Sequence, residues 1–91
     1  MGHADFRVRG KIFATIGPRG DWGMLKLPMQ DQDWFVRDHG NAFGPAAGSW
    51  GRQGSTIVQL RDADPAMVRL GMIAAWRGIA PKTLAQRYVD E

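Results

Sequence analysis

Apolar and polar positions alternate at the start of the chain. Phe6 and Val8 are set against Arg7 and Arg9, and Ile12, Ala14 and Ile16 against Phe13 and Thr15. A period of two in β-branched and aromatic residues predicts two strands within residues 5–16, with Arg9-Gly10 as the tight turn between them. Gly17-Pro18-Arg19-Gly20-Asp21 is loop chemistry. Met24-Leu25-Lys26-Leu27 predicts a short third strand, stopped by Pro28.

The pattern then changes period. Residues 30–39 carry acids at the front (Asp31, Asp33) and Arg37 and His39 at the back, with Gly40 behind them. That arrangement suits the helix dipole and predicts one short helix. Residues 40–54 hold Gly40, Gly44, Gly48, Gly51 and Gly54 together with Pro45 and Trp50. A glycine-rich loop leading into an irregular strand is expected there, and regular helix is not. Ser55–Leu60 reads as a strand.

Asp64-Pro65 is a helix start, an N-cap residue followed by Pro at the first helical position. At 100° per residue, Val68, Met72, Ala75, Trp76 and Ile79 form one apolar stripe. Gly78 and Pro81 are expected to interrupt this helix, with a further turn or two from Pro81 through Leu84 and Tyr88. Leu70 and Ile73 fall on nearly the opposite side, beside Arg77, where a surface helix is normally polar. That predicts a homodimer or other self-association, unless the second helix or a C-terminal turn covers them within one chain.

Three strands, a helix, one or two strands and a helix describe an α+β fold: a two-layer domain, mainly antiparallel sheet with helices packed on one face. With 91 residues and 10.1 kDa, a single domain spanning 1–91 is the natural count. The 44% hydrophobic and 23% charged composition fits a globular chain. No apolar run approaches the ~20 residues needed to cross a bilayer, and residues 1–5 do not read as a signal peptide. A cytoplasmic location and no membrane partner are expected.

The chain has no cysteine, which excludes disulfides, thiolate metal sites and cysteine nucleophiles. His3 and His39 lie in no metal-binding spacing, and His39 near a helix end reads as a solvated cap, so no metal is expected. Ser49, Ser55 and Thr56 do not form the Gly-x-Ser-x-Gly turn of a hydrolase. Asp31/Asp33 and Asp62/Asp64 read as helix-terminal charges and caps rather than an acid–base pair. No phosphate-binding glycine loop of known spacing is present. The expectation is therefore no enzyme and no cofactor.

Charge points elsewhere. The formal net charge is +3, and residues 1–30 are basic, 31–64 acidic and 65–91 basic. Nine of the twelve bases are Arg, the side chain suited to bidentate phosphate contact. Arg7, Arg9 and Lys11 flank the hairpin turn, either as a solvated strand face or as a basic ribbon for phosphate. Trp50-Gly51-Arg52-Gln53-Gly54 sets an aromatic, an Arg and an amide on glycine-rich backbone. Trp50 there either covers the core from a turn or offers an exposed stacking surface.

Four blocks in order carry a resemblance. They are Asp5-Phe6-Arg7-Val8-Arg9-Gly10-Lys11-Ile12-Phe13-Ala14-Thr15, Leu25-Lys26-Leu27, Trp50-Gly51-Arg52-Gln53-Gly54, and the Trp76 helix running into Ala80-Pro81-Lys82. Together they resemble the MmcQ/YjbR family over nearly the whole chain. The resemblance implies a small bacterial YjbR-like α+β domain, similar in fold to secretion chaperones, commonly labelled DNA-binding and without an established enzymatic activity. Its matching positions are Phe6, Arg7, Gly10, Lys11, Trp50, Arg52 and Lys82. Two features depart from the family pattern. Members usually carry a helix ahead of the Phe-Arg-Val block, most of which is lacking here, and an aromatic often stands where this chain has Ser55.

The expectation for function is a non-enzymatic binding domain. It would bind duplex DNA weakly and non-specifically through Arg7, Arg9, Lys11, Trp50, Arg52 and Lys82. The alternative is a protein-interaction or chaperone-like module.

Overall fold

The computed structural model describes residues 4–80. They form β1 (Ala4–Val8), β2 (Lys11–Ile16), β3 (Trp22–Lys26), α1 (Met29–Asp38), β4 (Phe43–Pro45), α2 (Ser49–Arg52), β5 (Ser55–Gln59) and α3 (Pro65–Ile79). The five strands make one sheet in the order β1-β2-β3-β5-β4, antiparallel throughout. This is the expected α+β domain. The expected C-terminal turn beyond Pro81, and Lys82, lie outside the described residues.

Register decides which residues face the helices. Ala14 opposes Leu25, Leu25 opposes Thr56, and one step along Gly23 opposes Val58, which opposes Phe43. Ala14, Leu25, Val58 and Phe43 are buried together with Phe35 of α1 and Ala75 of α3. The alternate row, Asp5, Thr15, Met24, Ile57 and Gly44, points the other way, as period two requires. An antiparallel sheet can leave such a face to solvent. On this one Thr15 donates a hydrogen bond to Asp5 at 3.1 Å.

A bulge modifies the simple alternation. Phe6 pairs with Ala14 but Arg7 pairs with Ile12, so β2 carries one extra residue, Phe13. The extra residue re-aims its side chain. Phe13 therefore packs with Phe6 on the helix side, ring centroids 6.4 Å apart, instead of sharing the outer face with Thr15.

The turns and caps follow local chemistry. Arg9 and Gly10 both have positive φ (51° and 81°), the pattern of a two-residue turn whose twist matches the strands. Asp64 accepts a 2.9 Å hydrogen bond from the Ala66 amide, with Pro65 beside it. The second expected cap, Asp62, contributes backbone instead: its N–H donates to Gln59 O, and its carbonyl accepts from Asn41.

Three expectations need correction. Residues 49–52 form a one-turn helix, α2, inside the glycine-rich stretch. Gly51 fits there because a Cβ would fall on the Ala46 carbonyl. Gly78 does not interrupt α3, which continues through it to Ile79. Its missing side chain lets the helix pass Pro28, whose Cγ would be 2.9 Å from a Cβ. His39 is not a solvated cap. It closes α1 half-buried, its ring 5.2 Å from that of Trp34 and 6.3 Å from that of Phe43.

Candidate nucleic-acid interface

The strand directions gather basic residues at one end of the sheet. The β1–β2 turn, the C-terminus of β3 and the N-terminus of β5 share that end, because Ala14, Leu25 and Thr56 lie in one row. Arg7, Arg9 and Lys11 sit at the turn, Lys26 opposite Ser55, and Arg52 at the end of α2 just before β5. From β2 to β5 is two strand spacings, about 10 Å.

The hairpin bases point three ways. Arg7 pairs with Ile12 on the outer face, where its Nη2 lies 3.8 Å from Asp5 Oδ2 and its Nη1 donates weakly to Gly10 O at 3.5 Å. Arg9 leaves the strand alternation altogether and occupies the turn. Lys11 opposes Val8 and so lies on the helix side. The sequence expectation of Arg7 and Arg9 side by side on one face gives way to a hairpin tip ringed by charge. All three are exposed. Arg9 holds φ +51°, a conformation that costs a side-chain-bearing residue about 1 kcal/mol or more.

The second half of the site is pinned by buried hydrogen bonds. Gln32 of α1 is 4% exposed, and its Nε2 donates to Gly51 O at 2.9 Å and reaches Ser55 O and Thr56 Oγ1 at 3.2 Å each. The Leu27 amide donates to Gly54 O at 2.9 Å. Gly54 has φ +104°, and a Cβ there would fall on the Leu27 carbonyl. Segment 49–54 is therefore fixed against the end of β3. From it Trp50 projects with 66% exposure, the highest among the exposed large hydrophobic residues described. Arg52 is exposed beside it.

The structure thus brings five bases and one exposed Trp to the same end of the sheet. Lys26 was not anticipated, because only the pairing of β3 with β2 and β5 places it there. The missed anchor is Gln32, whose sole sequence signal is an amide on a short helix otherwise facing the core with Phe35. The acids near this end are Asp5, 3.8 Å from Arg7, and Asp31 and Asp33 near the start of α1. Among the described residues no three His, Cys, Asp or Glu come together as a metal site, and no helix is long and apolar enough to cross a membrane. Leu70, on which self-association was expected, is 46% exposed, while Ile73 is half-buried.

No family model matches the chain, and neither a curated protein nor a solved structure matches it. The resemblance to the MmcQ/YjbR family rests on the four sequence blocks.

Proposed function

We propose that this domain is a non-enzymatic binding module that holds duplex DNA weakly and without sequence preference, at the basic end of the sheet. The observation that carries the reading is the gathering of Arg7, Arg9 and Lys11 with Lys26 and Arg52 at one end of the sheet. Bases on the hairpin tip and on α2 can reach separate phosphates of a duplex backbone. Phosphate contacts of this kind position a protein but read no bases. Trp50 supplies an exposed ring for stacking where a strand end or distorted base is available. Retaining Arg in a left-handed turn position, where Gly or Asn would be unstrained, is consistent with a role for its charge.

Neutralising four or five phosphates gives a log–log salt slope of about −4. The test is retention on random duplex DNA with increasing salt, for the wild type and for a variant with Arg7, Arg9 and Arg52 all replaced by Ala. The variant should keep its circular dichroism spectrum and lose retention. Absence of wild-type retention at about 20–50 mM salt, where screening is weak, overturns the proposal. One observation favours the second reading, a protein-interaction or chaperone-like module. It is an apolar groove beside α3, separate from the basic end.

A further inference from the structure

The groove is about 590 Å³, lined by Phe13 of β2 and by Val68, Met72, Ile73 and Trp76 of α3, with Arg69 on its rim and Pro65 at one end. Its position follows from how the helices share the sheet. α3 packs on β2 and β3, and α1 packs on β4. Helices on a sheet lie about 10 Å apart, two strand widths each. The edge strand β1 is thus the position left outward of α3, and the bulge turns Phe13 of β2 up beside it. From Pro65 to Trp76 the α3 wall runs about 16 Å, three helical turns. The space therefore has the length of one short helix lying alongside α3.

Charge says what kind of helix. The exposed Arg69 guanidinium stands on the outer rim of the groove. Lys11 stands on the helix side of the hairpin tip, at the end of the sheet where α3 finishes against Pro28. No acid lines the groove among the described residues, and Asp64, next to Pro65 at its end, is engaged as the cap of α3. An apolar floor with Arg69 on its rim and no acid in its lining is complementary to an amphipathic segment with apolar residues at i, i+3, i+4 and i+7 and carboxylates on its flank.

We infer that this groove is a docking site for an acidic amphipathic helix of a partner protein, about three turns long. The inference rests on the interaction-module reading and is separate from DNA binding except at Lys11, which stands near both surfaces.

The probe is a synthetic 14-residue amphipathic peptide with an apolar stripe and glutamates on one flank, a length set by about three to four turns at 3.6 residues each. It is titrated into the isotopically labelled full chain, alongside versions carrying Gln or Lys in place of Glu. The glutamate peptide should shift the resonances of Phe13, Ile73 and Trp76 and bind about tenfold tighter than the lysine peptide. Arg69→Glu, an exposed substitution that leaves the core untouched, should reverse that order. Ile73→Glu should remove binding of all three peptides.

Equal affinity for the Glu, Gln and Lys peptides overturns the acidic-partner inference while leaving the interaction-module reading in place. Failure of all three to bind overturns both. Contacts in the free protein between Trp76 and residues 81–91, or concentration-dependent shifts at the same groove positions, identify the chain's own segment or a second copy as occupant. Either result overturns the inference of a foreign partner.

Discussion

Replacing Gln32 with Met tests whether one buried amide holds the binding segment in place. Met matches the length of Gln but cannot donate. Three acceptors lie within reach of Nε2: Gly51 O at 2.9 Å, Ser55 O at 3.2 Å and Thr56 Oγ1 at 3.2 Å. The amide nitrogen has only two hydrogens, so two of these contacts are strong at a time. A buried neutral hydrogen bond contributes a net ~0.5–1.5 kcal/mol. The acceptors are not left bare. Gly51 O still accepts from the Gly54 amide at 3.1 Å, Ser55 O from the Ala46 amide at 2.9 Å, and Thr56 still donates to Gly54 O at 3.0 Å. The full penalty of an orphaned buried group therefore does not apply, and the loss should be about 2 kcal/mol. For a domain of this size that lowers the melting temperature by about 8–16 °C. Urea unfolding measures the global loss. Amide exchange measures whether Gly54 and Leu27 open ahead of the rest, as they should if the damage begins at α2. Gln32→Glu should be worse than Met, since it sets a carboxylate against two carbonyls. A loss below about 0.5 kcal/mol for Gln32→Met, with unchanged exchange at Gly54, would refute the reasoning.

Two further substitutions separate stability from binding. Arg9→Gly relieves the positive φ at the hairpin and should leave the fold equally stable or up to ~1 kcal/mol more stable. It should also weaken DNA retention and flatten the salt slope by about one unit; a variant that binds as well as wild type removes Arg9 from the interface. Asp64→Ala deletes the acceptor for the Ala66 amide and should cost about 1 kcal/mol in urea unfolding, without altering DNA retention.

What could be read from the sequence was local. Asp64-Pro65 carries its own meaning, because the cap needs only a carboxylate two residues before an amide. Arg9-Gly10 was legible because a pair ending in Gly separates two alternating stretches. What escaped depends on partners distant in sequence. Phe13 looks like an outer-face residue until β1 pairs with β2 and leaves it unopposed. Gly78 reads as a helix breaker until Pro28 is found beneath it. α2 is too short to have a period, and its formation rests on Gln32, 19 residues from its bonding partner Gly51.

The candidate site divides along the same line. Arg7, Arg9 and Lys11 are neighbours in sequence, so their grouping needed only a hairpin. Their association with Arg52 needed the strand order, since β5 enters the sheet beside β3 rather than at the edge. That insertion brings segment 49–54 to the hairpin's end and adds Lys26. On the other side β1 is the edge strand, while α3 packs mainly on β2 and β3. Two features of the topology thus produce the two surfaces. The basic end arises because two loops meet there, and the apolar groove arises because the hairpin extends past the last helix. Removing charge at the hairpin tip should therefore affect DNA without altering the groove floor. Filling the groove with a peptide should leave Arg52 and Trp50 unchanged.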